Sequence, residues 1–284
     1  MSVVAIVAGY GVREAARRRS FLVVLLLTAA FLGLYWLVVD RAFDEARLVG
    51  EGSFGIDAET VTGSILFGLA MFATLFLGTV LVVFLTVGAV RGDAERGLLQ
   101  PLLVRPLTRT GFLLGRFAGA AVVGAAYTLA LYFAALGITA AAGGWWPDRV
   151  VVPAVELGAA VVLVCALSTL GSVVLSSTAN GMAVFMLFGV GLVGGLLDQV
   201  ASAIDSETLE SVSTKVVWAL PFEALHKDAL YRITADTHGV TRFVLELGPF
   251  GGAKPATTWL YVWVAAYAAI VGVAAAALFR RRDL

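Results

Sequence analysis

Asp93, Glu95 and Arg96 stand just ahead of a leucine set, Leu98, Leu99, Leu102 and Leu103, and Arg105, Pro106 and Arg109 follow. In a helix, Leu98/Leu99 and Leu102/Leu103 lie four positions apart and share one face. The chemistry open to such a patch is recognition. The charges set register through ion pairs while the leucines fill a groove. An exposed leucine face is costly in water unless it docks on something. Two docking partners fit: this chain's own helices at a membrane surface, or a separate protein.

Residues for bond-making chemistry are sparse. The chain has two histidines, His226 and His238, and neither has a second His one helical turn away, which leaves little basis for zinc or copper binding. Both read as solvated surface side chains. No H-E-x-x-H occurs, and no G-x-x-x-x-G-K-[ST] loop is present to cradle ATP phosphates. The single cysteine, Cys165, reads as a small buried hydrophobe. A Ser–His intramembrane protease would need a histidine inside an apolar run, and none is there. Glu156 and Asp198 fall at helix ends and read as solvated, the alternative being a role in an outer gate. With no charge near the centre of any apolar run, an ion- or proton-coupled transporter is disfavoured.

The elements that hold the 93–109 patch are membrane-length. Of 284 residues, 60% are hydrophobic and 14% charged, and the mean hydropathy is +0.93. Soluble domains carry about 25% charge, so lipid is the solvent for most of this chain. A spanning helix needs roughly 20 apolar residues. Six runs qualify: 21–39, 61–90, 112–142, 150–177, 182–197 and 257–279. The run 182–197 is short. The run 61–90 would be about 45 Å long as a helix and must tilt, kink or project from the bilayer. The expected fold is an all-α integral membrane protein.

Charge is balanced, with 20 basic and 20 acidic residues, but unevenly placed. Six spans with both termini cytoplasmic put Arg13, Arg17, Arg18, Arg19, Arg91, Arg96, Arg105, Arg109, Arg116, Arg280, Arg281 and Arg282 on the inside. Only Glu14, Asp93, Glu95 and Asp283 oppose them there. This is the positive-inside pattern, and it sets 91–111 on the cytoplasmic side of a plasma membrane. Residues 1–20 read as an interfacial helix with Arg13, Arg17, Arg18 and Arg19 near anionic headgroups, or as a plain charged flank. The first apolar run is too long for a cleavable signal peptide and reads as a retained helix.

On the outer side, 40–60 reads as an acidic loop, and Trp145 and Trp146 as interfacial anchors. Ser176–Gly181 reads as a short inner turn. The longest non-spanning segment is 198–255. Within it Leu220, Phe222, Leu225, Leu230 and Ile233 recur at roughly helical spacing behind Pro221, which suits a first turn. That predicts a short amphipathic helix lying on or dipping into the outer face. Gly115–Gly119 and Gly191–Gly195 match G-x-x-x-G, a spacing that lets helices approach closely.

The loop also resembles a known signature. Glu95-Arg96-Gly97-Leu98-Leu99, Leu102-Leu103-Val104-Arg105-Pro106-Leu107-Thr108-Arg109 and Phe112-Leu113-Leu114-Gly115-Arg116 resemble the motif of ABC-2 type permeases. The closing Phe279-Arg280-Arg281-Arg282-Asp283-Leu284 is similar to a common ending in that family. The six-span layout with a long segment before the last span matches as well, and most resembles the subgroup containing the permease of nitrous-oxide-reductase maturation. Leu98 departs from a usual Thr, and Pro101 interrupts a usual helix. The coupling helix is therefore either split at Pro101 or begins near it.

The resemblance implies the permease subunit of an ATP-binding-cassette exporter. Two cytoplasmic ATP-binding subunits would bind ATP and Mg, this chain binding no cofactor and catalysing nothing itself. A second permease copy, as a homodimer, would complete the channel. Asp93, Glu95, Arg96, Leu98, Leu99, Leu102, Leu103, Arg105, Pro106 and Arg109 would form the coupling surface. Membrane lipid is a further partner, and nucleic acid is not. The competing reading is a non-transporting scaffold that binds an extracytoplasmic partner through 198–255.

Overall fold

The computed structural model describes residues 3–17, 19–49, 57–87, 108–241 and 253–281. They form helices and no strand. In chain order the helices are α1 (Val3–Arg17), α2 (Arg19–Val49), α3 (Ala58–Thr86), α4 (Arg109–Gly143), α5 (Val151–Val174), α6 (Ser177–Ile204), α7 (Glu207–Ala219), α8 (Pro221–Arg232) and α9 (Thr258–Arg280). Six of them, α2 to α6 and α9, are long and apolar enough to cross a membrane. The chain is an all-α integral membrane protein.

Alternating passes give the bundle two ends. The α3–α4 connection, the α5–α6 turn and the C-terminus of α9 mark the loop end. There Leu113, Val173, Ala275 and Phe279 cluster. The α2–α3 and α4–α5 connections, with α7 and α8, mark the cap end. There Arg47 donates to the Ala142 carbonyl, and the Asp148 N–H donates to the Ile233 carbonyl.

The core lies where α3, α4 and α5 meet. Phe67, Met71 and Leu75 of α3 pack with Tyr132 of α4 and with Leu157, Val161 and Cys165 of α5. In the most apolar stretch of α5, 67% of residues are buried, against 17% in α9, whose side chains mostly face outward. Small hydroxyls inside the bundle return to their own backbone: Thr74, Thr128, Thr139 and Thr169 each donate to the carbonyl four residues earlier. That satisfies polar groups with no water at hand. Between helices, Thr86 pairs with Ser168 at 2.6 Å, and Asn180 donates from Nδ2 to the Ser168 carbonyl at 3.0 Å.

Several elements run longer than hydropathy indicates. The expected loop at 40–60 is helical as far as Val49. Val39, Phe43 and Ala46 are buried and continue one helical stripe, while Arg41, Glu45 and Leu48 occupy exposed faces. The expected turn Ser176–Gly181 is mostly the first turn of α6, which lengthens the short 182–197 run into Ser177–Leu197. Trp145 is not a plain anchor. It is half-buried, its ring 6.1 Å from that of Phe67, whereas Trp146 is exposed.

Candidate functional site

The recognition patch meets the described bundle at Thr108. Its Oγ1 accepts from the Gly111 N–H at 3.2 Å and caps α4, and Arg109 is the first helical residue. Asp93, Glu95, Arg96, Leu98, Leu99, Leu102, Leu103, Arg105 and Pro106 lie outside the described residues, as does Arg18. Arg13 is exposed on α1, Arg17 closes α1 and Arg19 opens α2.

Two turns into α4, Arg116 reaches α1. Its Nη1 is 2.6 Å from Glu14 Oε2, and its guanidinium lies over the Phe112 ring. The second half of the Gly115–Gly119 motif permits this contact. A Cβ on Gly119 would come within 3.0 Å of the Ala8 carbonyl oxygen. The base of α4, where the patch joins the bundle, is thereby braced by α1.

The other concentration of functional groups is at the cap end. The expected helix after Pro221 is α8, with Pro221 in its first turn. It is buried over nine of its residues, Pro221–Glu223 and Leu225–Leu230, not on one face alone. Phe222 stacks on Phe188 of α6 with centroids 5.4 Å apart. The Gly191–Gly195 motif is the seat for this helix: a Cβ on Gly191 would strike the Phe222 ring, and one on Gly195 the Glu223 carboxylate.

Two sequence expectations fail here. Glu156 is 2% exposed and His226 5%; neither is solvated, although His238 is exposed. Glu156, in α5, meets an arginine of α8. Arg232 Nε lies 3.1 Å from Glu156 Oε1 and 3.0 Å from Asp228 Oδ2. The Tyr261 hydroxyl of α9 sits between the same acids, 2.6 Å from Glu156 and 2.8 Å from Asp228, and accepts from Arg232 Nη2 at 2.9 Å. Its one proton serves one carboxylate at a time. Asp228 Oδ1 also accepts from the Ala256 N–H at 2.9 Å. Burial opposes ionisation of Asp228, yet its hydrogen-bonding neighbours hold its carboxyl below the ordinary value. The cluster is a clamp that ties α5, α8 and the start of α9.

His226 packs near Phe72 of α3, and among the described residues neither ring nitrogen has a hydrogen-bond partner. Burial, with the nearby Lys227 charge adding to it, pushes its pKa down to about 4. Burial likewise pushes Glu223 up to about 8, against the pull of Lys227. Both side chains are thus held largely uncharged near neutrality. Among the described residues, no group of three or more His, Cys, Asp or Glu side chains is placed to hold a metal ion.

Sequence reasoning did not find Arg232, Asp228 or Tyr261. Asp228 and Arg232 do stand four apart on the predicted helix, the spacing of a local ion pair. Nothing local marks Tyr261.

The sequence matches a known family along nearly the whole chain. The model of the ABC-2 family transporter protein matches residues 5–284. The chain belongs to the ABC-2 transporter family. No curated protein matches it individually. The matched range takes in all six spanning helices, the 91–111 loop and the α7–α8 cap. The chain is therefore a multi-pass ABC-2 transporter permease, a membrane transport component. The family implies association with an ABC ATP-binding subunit.

Proposed function

We propose that this permease is the membrane half of an exporter powered by ATP hydrolysis in a separate subunit. ATP and Mg belong to that subunit, present in two copies, and this chain binds no cofactor. A second copy of the chain completes the channel as a homodimer. The membrane is the plasma membrane, and the loop end of the bundle, with both termini, faces the cytosol. The match to the family over residues 5–284, covering six spanning helices, carries this reading.

Residues 91–111 act as the coupling segment. Asp93, Glu95, Arg96, Arg105 and Arg109 fix register on the ATPase, and Leu98, Leu99, Leu102 and Leu103 fill its groove. The segment joins α3 to α4. Helix α3 is largely buried in the core, and α4 packs on α1, α2, α3 and α5. A push on this connection therefore reaches most of the bundle through rigid helices. At the far end the Glu156–Arg232–Asp228–Tyr261 clamp makes α5, α8 and α9 move together. The scaffold reading would place its partner on 198–255, where α8 packs against α5 and α6 and α7 has Ser213 alone buried among its residues.

Co-purification tests the proposal. The tagged chain is expected to bring down a protein bearing a phosphate-binding G-x-x-x-x-G-K-[ST] loop, and Leu99→Glu to lose it while the chain still inserts. Absence of that protein, or full retention by Leu99→Glu, would overturn it.

A further inference from the structure

The clamp between α5, α8 and α9 sets two acids around one guanidinium. Asp228 is 0% exposed and Glu156 2%. Two donors are divided between them. Arg232 Nε, which carries one hydrogen, lies 3.1 Å from Glu156 Oε1 and 3.0 Å from Asp228 Oδ2. The Tyr261 hydroxyl, also with one hydrogen, lies 2.6 and 2.8 Å from the same two oxygens. The two carboxyls are within hydrogen-bonding reach of each other as well. An ionised carboxylate has no hydrogen to give. Two ionised acids at this range repel, whereas one proton turns their contact into a hydrogen bond.

The hydrogen bonds also tell the two acids apart. Asp228 Oδ2 meets two nitrogens of Arg232, Nε and Nη2, each at 3.0 Å, and its Oδ1 accepts from the Ala256 N–H. Both of its oxygens are served, as an ionised acid requires. Glu156 Oε2 is buried and has no hydrogen-bond partner among the described residues. A charged oxygen left so is costly, a neutral one much less. From α4 the wholly buried Tyr132 hydroxyl lies near enough to interact with a charge on Glu156, yet it too is unbonded among the described residues. A carboxylate would draw such a donor into a charge-assisted bond. Among the described side chains, α3 and α6 bring no further titratable group to the pair; Glu59, the charged residue of α3, pairs with Arg47.

We propose that Glu156 and Asp228 form a binding site for one proton, held mainly on Glu156, and that this proton completes the latch between α5, α8 and α9. Its release in alkaline medium leaves two negative acids competing for donors they already share, and the latch loosens. A proton bound in the folded chain and released on unfolding makes stability fall as pH rises. That the medium sensed is the external one rests on the orientation proposed above; the place of the proton within the pair does not.

The test uses the full detergent-solubilised chain, so it depends on neither membrane orientation nor an ATP-binding subunit. Glu223→Gln serves as the background, because burial keeps that acid largely protonated near neutrality too. Infrared difference spectra between neutral and strongly alkaline buffer read protonated carboxyls directly. The expected result is the loss of a protonated-carboxyl band on going alkaline, and the absence of that band when Glu156→Gln is added. Melting curves give a second readout. Glu156→Gln imitates the protonated acid, since its amide is neutral and can both donate and accept. It should melt near the background at neutral pH and flatten the decline towards alkaline pH. Asp228→Asn removes the charge opposite Arg232 and should lower the melting temperature at neutral pH. No protonated-carboxyl band in the background chain, or a band that survives Glu156→Gln, would overturn the site. So would a neutral-pH melting loss in Glu156→Gln as large as in Asp228→Asn, the mark of an ordinary ion pair with both acids charged.

Discussion

At the scale of single residues, the cap clamp sets how strongly the bundle holds α8. Arg232→Ala leaves Asp228 and Glu156, acids at most 2% exposed, without the cation they share. Removing one partner of a buried ion pair typically destabilises by about 3–5 kcal/mol, and denaturation of the detergent-solubilised chain should register a loss of that order. Arg232→Lys keeps the charge without the fork and should lose less. Two buried groups on α8 add a pH signature. Burial raises the Glu223 carboxyl from 4.5 to about 8, so between those values the folded chain keeps a proton that the unfolded chain has released. Stability therefore falls as pH rises through that window. Burial lowers His226 from 6.5 to about 4, so there the unfolded chain binds the extra proton and stability rises with pH. The slopes cancel from about pH 4.5 to 6.5. From 6.5 to about 8 His226 no longer offsets the Glu223 decline, which contributes on the order of 2 kcal/mol. Melting curves should show it in the native chain, and Glu223→Gln should reduce the decline by about that amount. At this scale the sequence was least legible. A charge reads as solvated until its partner is known, and the partner of Glu156 lies 76 positions away.

At the scale of elements, one helix is fitted into another's groove. Glycines at 191 and 195 leave room for Phe222 and Glu223. Gly195→Val would force α8 outward or strain its side chains, and overpacking of this kind costs typically about 1–3 kcal/mol. The expected outcome is a lowered melting temperature, with α7 and α8 cleaved earlier in limited proteolysis. An unchanged melt and digestion pattern would argue that α8 is not seated there. The helix behind Pro221 was legible because proline position and apolar period agree. The glycine motif pointed to a close approach but could not name the partner. Helix α7 and the far end of α2 were missed for one reason: a hydropathy window stops at charges, whereas a helix continues wherever one face stays buried, as Val39, Phe43 and Ala46 do.

At the scale of the whole molecule, six charge-poor runs, an arginine bias and a permease-like loop made the class legible before any coordinate. The span count follows from the cost of charge in lipid, which needs no partner to evaluate. The loop's contacts were legible only as a resemblance, because what they grip is another protein. The account rests on that loop facing the cytosol, where an ATP-driven subunit works. Thiol labelling tests this most directly, with a cysteine in place of Gln100 or, separately, of Trp146, in a Cys165→Ala background. In sealed right-side-out vesicles, a membrane-impermeant maleimide should label position 146 and spare position 100 until the vesicles are opened. Prompt labelling of position 100 in sealed vesicles would contradict the account.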